Sequence, residues 1–242
     1  MRQFQIDEIQ TFQRTEIVRL AQASSAVAEK VALRSHYTCI GQWLPSKLGG
    51  RVLELGCGPG RYVALLAAMG YDVVGADPLS FPTWEDIRGH QQVEFQQGIR
   101  AEALPYADAS FDHVACLGAL LYFDNPDQAL TEVRRVIKPG GRLFVRTVNR
   151  HNLVRLLRGR NIDPAAKNYY TESELAELLR RHGFLVNRTF SYGFYPPFAP
   201  MFWWYLVNGK IPVRAQEWLS NSIPPRYRVN IAAEAWLPSS KS

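Results

Sequence analysis

Glu54, Gly56, Gly58 and Gly60 alternate with other residues in the run Glu54-Leu-Gly-Cys-Gly-Pro-Gly60, and a carboxylate, Asp77, stands seventeen residues further on (60 to 77). Glycines at alternate positions let the backbone take positive φ and let a ligand approach without meeting a Cβ. An acidic residue at that distance suits the two hydroxyls of a ribose, from which a carboxylate accepts in bidentate fashion. Together they predict a nucleoside site. The dinucleotide fingerprint G-x-G-x-x-G is not met, because it would need glycine at the position of Arg61.

Proton-transfer chemistry has fewer candidates. The histidines are His36, His90, His113, His151 and His182. His113 falls inside an apolar run and His182 near a helix end, where structural or solvated roles are expected. His151 follows a strand at the sheet edge where doubly wound folds place their ligands, and an imidazole titrating near neutrality can take a proton from a hydroxyl or amine. His151 is therefore one candidate base, with a surface or helix-capping role as its alternative, and Tyr122 is the other. Cys39, Cys57 and Cys116 are odd in number and lack metal-ligand spacing, so no metal site is expected and a reducing compartment is. Arg150, Arg155, Arg158 and Arg160 share a short stretch with Leu153, Leu156 and Leu157. Such a run is either a solvated face or a surface for an acidic acceptor or anionic lipid headgroups.

The elements that must position these residues follow from periodicity. Val52, Leu53 and Leu55 predict a buried parallel strand, the residues after Arg61 a helix stopped at Gly70, and Tyr71 to Ala76 a second strand ending on Asp77. Ser80 to Ile87 reads as a short helix or loop, and Val93 to Gln97 as a third strand. A loop from Ala101 feeds a fourth strand over 112–117. An amphipathic helix over 127–137 is stopped by Lys138-Pro-Gly-Gly, and a fifth strand covers 142–148. Thr171 and Glu174 form a capping box for a helix ending at Gly183, ahead of strands over 184–190 and 227–236. Residues 7–44 carry helical spacing and predict an N-terminal cap. Residues 191–226 hold nine aromatic rings among six prolines, from Tyr192 to Trp218, a density that forbids a long regular helix. These rings pack on the cap, line an apolar acceptor pocket or meet lipid.

The run E-x-G-x-G-x-G closely resembles the first motif of the class I S-adenosylmethionine-dependent methyltransferases. Ala101-Glu-Ala-Leu-Pro-Tyr-Ala-Asp-Ala-Ser-Phe-Asp112 resembles a segment of the branch that includes the ubiquinone and menaquinone biosynthesis methyltransferases. The resemblance implies an α/β fold: a doubly wound, mostly parallel seven-stranded sheet whose last strand runs antiparallel. It implies S-adenosylmethionine as cosubstrate and S-adenosylhomocysteine as product. Glu54, Gly56, Cys57, Gly58 and Gly60 would shape the methionine side, Asp77 would take the ribose, Pro78 and Leu79 would flank the adenine, and Leu117 would lie near the methionine chain. One position departs from the pattern. Where the family commonly has an acidic residue before A-E-x-L-P, this chain has Arg100, and a guanidinium has no acceptor. The adenine edge would then be read by backbone groups around Ala101, or Arg100 would stack on the ring.

The chain has 242 residues, 47% of them hydrophobic, enough for a single methyltransferase domain. Its expected parts are a cap over 1–48, a cosubstrate-binding core over 49–190, the aromatic acceptor-side insertion over 191–226 and a last strand and tail over 227–242. The formal charge of +6 permits an anionic partner, but no appended RNA-binding module is visible, so nucleic acid is not expected. No signal-peptide core or spanning segment is read, which predicts a cytoplasmic protein with peripheral membrane contact as an option. The expected function is methyl transfer to oxygen or nitrogen, more than to carbon, of a small or lipid-like acceptor. RNA methylation, or a nucleoside-binding or membrane-associated module without transfer, are the alternatives.

Overall fold

A computed structural model describes residues 3–33, 38–158, 163–194 and 213–239. The sheet consists of β1 (Arg51–Leu55), β2 (Asp72–Asp77), β3 (Glu94–Gln97), β4 (Phe111–Leu117), β5 (Ile137–Val148), β6 (Leu185–Tyr192) and β7 (Asn230–Trp236). Their order is β3-β2-β1-β4-β5-β7-β6, with β7 antiparallel to both its neighbours and the rest parallel, as expected. Because β1 is flanked by β2 on one side and β4 on the other, the winding reverses between β1 and β4. A crevice therefore opens at their carboxyl ends, and it opens beside the glycine run.

Each face of the sheet carries its own core. Val52, Val73, Ala115 and Phe144 face the helices α1 (Gln3–Ala21), α2 (Ser25–Ala32), α3 (Thr38–Trp43), α4 (Arg61–Ala68) and α5 (Thr83–Arg88), burying Ile17, Leu20, Ile40, Leu66 and Trp84. Leu53, Val74, Val114 and Val145 face α6 (Pro126–Val136) and α8 (Glu172–Arg181), which bury Leu130, Val133, Leu175 and Leu179. The period-2 alternation of each strand thus sorts its residues between two apolar layers. The expected N-terminal cap is the first three helices of one layer. It is tied to that layer by Arg14 Nε to Asp86 Oδ2 (2.8 Å), Arg61 to Glu16 (3.0 Å) and Gln91 Nε2 to the Ala21 carbonyl (2.8 Å). The capping box of α8 forms as read.

Three strand boundaries differ from the sequence reading by two residues or more. Strand β5 begins at Ile137, not Arg142, because Ile137 pairs with Phe111 before the register jumps to His113 opposite Arg142. Lys138-Pro-Gly-Gly is a bulge within the ladder, pinned by Lys138 Nζ on Asp112 Oδ1 (2.6 Å) and by Gly140 N on the Leu237 carbonyl (2.8 Å). Strand β7 starts at Asn230, since Pro225–Tyr227 turns as a 3-10 helix, and β6 runs on to Tyr192. Of the aromatic insertion, a nine-residue helix, Val213–Asn221, fits between Pro212 and Pro224 and leaves Trp218 exposed. Tyr195, Phe198, Phe202, Trp203, Trp204, Tyr205 and their prolines lie outside the described residues, as do His36 and Arg160. Among the described residues no helix is long and apolar enough to cross a membrane, and no cluster could hold a metal ion.

Candidate functional site

Backbone amides and a support from behind hold the glycine loop. Gly56 N and Cys57 N donate to the Ala76 carbonyl at the end of β2 (2.8 and 3.1 Å), and Gly58 N donates to Asp77 Oδ2 (2.9 Å). From α5, Thr83 Oγ1 donates to the Pro59 carbonyl (2.7 Å) and Trp84 Nε1 to the Gly58 carbonyl (2.8 Å). The Trp84 indole is itself fixed by stacking on Phe95, with centroids 4.7 Å apart and planes at 9°. All three loop glycines have positive φ. A Cβ on Gly56 would stand 2.2 Å from Ala119 Cβ, and one on Gly60 would stand 2.6 Å from Ile87 Cδ1. At Gly58 it would meet nothing within 4 Å. Gly56 therefore allows close packing of two loops, while Gly58 presents bare backbone to open space.

That space is a cavity of about 590 Å³ at the reversal between β1 and β4. Of the eleven residues expected at the cosubstrate, all but Gly60 line it. Gly60 instead caps α4 and faces Ile87 and Phe95 behind the loop, so its conformation serves packing. Asp77 accepts Leu79 N on Oδ1 and Gly58 N on Oδ2, both at 2.9 Å, and each oxygen keeps a second lone pair for a ligand. Leu79 is 64% exposed beside it. Glu54 is 1% exposed, and its Oε2 has no hydrogen-bond partner. Burial first, and then the Asp77 charge, pushes the Glu54 carboxyl well above the usual carboxylate range, while Arg146 pulls the other way. Burial also pushes up the Cys57 thiol, whose Sγ lies against the Gly58 carbonyl.

Arg100 lines the cavity at the expected place but is engaged elsewhere. Its guanidinium bonds Asp124 and lies 3.7 Å from Glu102. Asp124 also takes Lys167 Nζ, and Glu102 Oε1 accepts the Asp124 and Asn125 amides (2.9 and 3.2 Å). Three loops, around 100, 124 and 167, are joined by this network at the cavity rim. Tyr122 lines the cavity too, yet its hydroxyl donates to Asp163 Oδ2 at 2.6 Å, and burial together with Asp163 pushes its pKa up. A hydroxyl held in that state donates hydrogen bonds and is a poor base. His151 stands exposed at the turn before α7 (Leu153–Arg158) with its amide on Asn149 Oδ1, and it does not line the cavity. His113 is buried in β4 against Trp43 and Tyr71, and His182 bonds Asp127.

The structure also brings in residues that the sequence reading did not select, among them Gly118, Ala119, Asp124, Arg146 and Lys167. Arg146 sits in β5 directly beside Leu117 of β4. Its Nη1 donates to Asn230 Oδ1 (3.2 Å) and its Nη2 to the Leu117 carbonyl (3.3 Å). Gly118 has φ +103, and a Cβ there would lie 2.6 Å from Arg146 Nη2. The sequence carried no local signal for Arg146, because β5 also holds Lys138, Arg142 and Thr147.

A parallel sheet reversing between β1 and β4, an antiparallel seventh strand and a glycine loop closed by an acidic strand end define a Rossmann-like methyltransferase fold. Residues 53–145 match the family described as a methyltransferase domain. Curated relatives include the ubiquinone biosynthesis O-methyltransferases of Dechloromonas aromatica, 34% identical over 110 residues, and of Pseudomonas putida strain GB-1, 36% identical over 117 residues. These alignments cover 44% and 46% of this chain and 47% and 50% of the relatives. The chain spans about half the length of the curated relatives it matches. Among solved structures, a SAM-dependent methyltransferase from Thermotoga maritima superposes with a TM-score of 0.60 at 21% identity, over 96% of this chain and 95% of that one. The [4+2]-cyclase SpnF gives 0.58 at 22% identity, over 91% and 84%. The fold thus also carries chemistry other than methyl transfer.

Proposed function

We propose that this chain transfers a methyl group from S-adenosylmethionine to an oxygen or nitrogen of a small or lipid-like acceptor. The observation that carries this reading is the cavity at the β1/β4 reversal, floored by bare Gly58 backbone and bounded by Asp77 and Glu54. The residues fit the cosubstrate: Asp77 has lone pairs for two ribose hydroxyls, and the partnerless Glu54 Oε2 offers an acceptor toward a cationic methionine end. Pro78, Leu79 and Ala101 line the same end of the cavity for the adenine, with its edge left to backbone groups because the Arg100 guanidinium is spent on Asp124. When bound, the sulfonium supplies an already activated methyl group, so the protein's work is to align the acceptor and exclude water. The cap α1 contributes Gln13 and Ile17 to the cavity wall.

Thermal unfolding with S-adenosylmethionine, S-adenosylhomocysteine, NAD or no ligand tests it. At a hundred times its dissociation constant a ligand adds about 2.7 kcal/mol of stability. Stabilisation by the first two ligands alone, abolished in Asp77→Ala, is the expected result. No shift with either would end the transferase reading.

A further inference from the structure

Resting on that reading, we infer that the seam of charged side chains joining the loops around 100, 124 and 167 is the door through which the cosubstrate and its product pass, with Asp124 as its latch. Strands β3 and β4 stand three positions apart in the sheet, with β2 and β1 between them. At the usual strand spacing that separation is roughly 14 Å. The loops that follow β3 and β4 nevertheless meet, because Arg100 bonds Asp124 and Glu102 Oε1 accepts the Asp124 and Asn125 amides. Between them lie the carboxyl ends of β1 and β2, which carry the glycine loop and Asp77. The segment 163–168 fastens to the same place. Its Lys167 and Asn168 amides donate to the Leu121 carbonyl (2.8 and 3.0 Å), Asn168 Nδ2 donates to the Phe123 carbonyl (2.7 Å), and Lys167 Nζ bonds Asp124. Two cations from two loops thus converge on one carboxylate of a third.

The opposing walls of the cavity are built differently. On the side of α1, the wall residue Ile17 is buried together with Leu20 in the first apolar layer. On the other side Ala101, Ala119 and Leu120 root the loops in the second layer, but at the rim the wall is made of Arg100, Glu102, Asp124 and Lys167. The side chains of Arg100, Asp124 and Lys167 are 57%, 49% and 55% exposed. Ion pairs so exposed exchange their partners for water at little cost, whereas a wall of buried apolar contacts does not, so the cavity opens first along this seam. Arg100 thereby gains a role. Standing where the resemblance has an acid, its guanidinium fastens the loop beside the expected adenine site to the loop after β4 instead of reading the base. A door of this kind slows entry and release by the same factor and leaves the equilibrium affinity as it was.

The test is kinetic and uses S-adenosylhomocysteine, whose charges sum to zero, so that salt has little effect on its diffusional approach. Its association and dissociation rates are measured by stopped-flow fluorescence on wild type, Asp124→Asn and Lys167→Met. Asp124→Asn is expected to raise both rates by about threefold or more, with Lys167→Met in between and the dissociation constant the same in all three proteins. Raising sodium chloride from about 50 to about 500 mM is expected to speed both rates in wild type and to change neither in Asp124→Asn. The common dissociation constant also shows that the variants fold. Unchanged rates in Asp124→Asn overturn the inference, as does a salt response equal in wild type and variant. So does a changed dissociation constant, which would make Asp124 a contact or a support of the bound ligand rather than a latch. Failure of wild type to bind S-adenosylhomocysteine overturns the transferase reading and this inference with it.

Discussion

At Glu54 burial outweighs charge. A carboxyl that is raised in the folded state takes up protons on folding, so its contribution to stability is present below the ordinary value of 4.5 and declines as pH rises above it. The stability of the ligand-free protein relative to Glu54→Gln should accordingly fall with increasing pH, as urea unfolding of both across that range would show. A constant difference would mean that Glu54 is solvated. Gly56 is governed by space instead: alanine there would combine positive φ with a 2.2 Å approach to Ala119 Cβ. We expect Gly56→Ala to cost about 2 kcal/mol or more and to abolish cosubstrate binding, read by thermal unfolding and calorimetry. At Gly58 the open side removes the clash and leaves only the strain of φ +50, so Gly58→Ala should lower the affinity for S-adenosylhomocysteine more than it lowers stability. These two glycines are indistinguishable in the sequence, because their difference is made by a loop more than fifty residues downstream.

The short helix α5 shows how an element with little intrinsic stability becomes part of the site. Six residues form no durable helix alone. Trp84, buried and stacked on Phe95, anchors it, and its indole and Thr83 then carry two hydrogen bonds to the loop carbonyls. Trp84→Phe keeps the ring packing and removes one bond, for an expected loss of about 1 kcal/mol in stability. If the loop is positioned this way, S-adenosylhomocysteine affinity falls with it, and an unchanged affinity would confine Trp84 to the core. The cap helix α1 meets α4 and α5 through Arg14–Asp86 and Glu16–Arg61, of which the first is largely exposed. Exposed pairs of this kind contribute little, so packing by Ile17 and Leu20 holds the cap.

Across the molecule, the cavity draws on both apolar layers and on the carboxyl ends of β1, β2, β4 and β5. Binding of S-adenosylhomocysteine should slow amide hydrogen exchange at 56–60, 77–79 and 99–102 and leave β6 and the outer half of β7 unchanged. Protection spread over β6 would instead place the ligand on the acceptor side. The sheet and its glycine loop were legible along the chain, because period-2 apolar runs, positive-φ glycines and helix stops are local signals. Asp77 was legible too, since its role follows from standing at a strand end after that loop. Nothing local distinguishes Gly58 from Gly60, removes His151 from the cavity, ties Arg100 to Asp124 or brings Arg146 beside Leu117. Those facts depend on strand order and on which face each residue takes. They join segments more than twenty residues apart, whose approach is set by the packing of the folded chain.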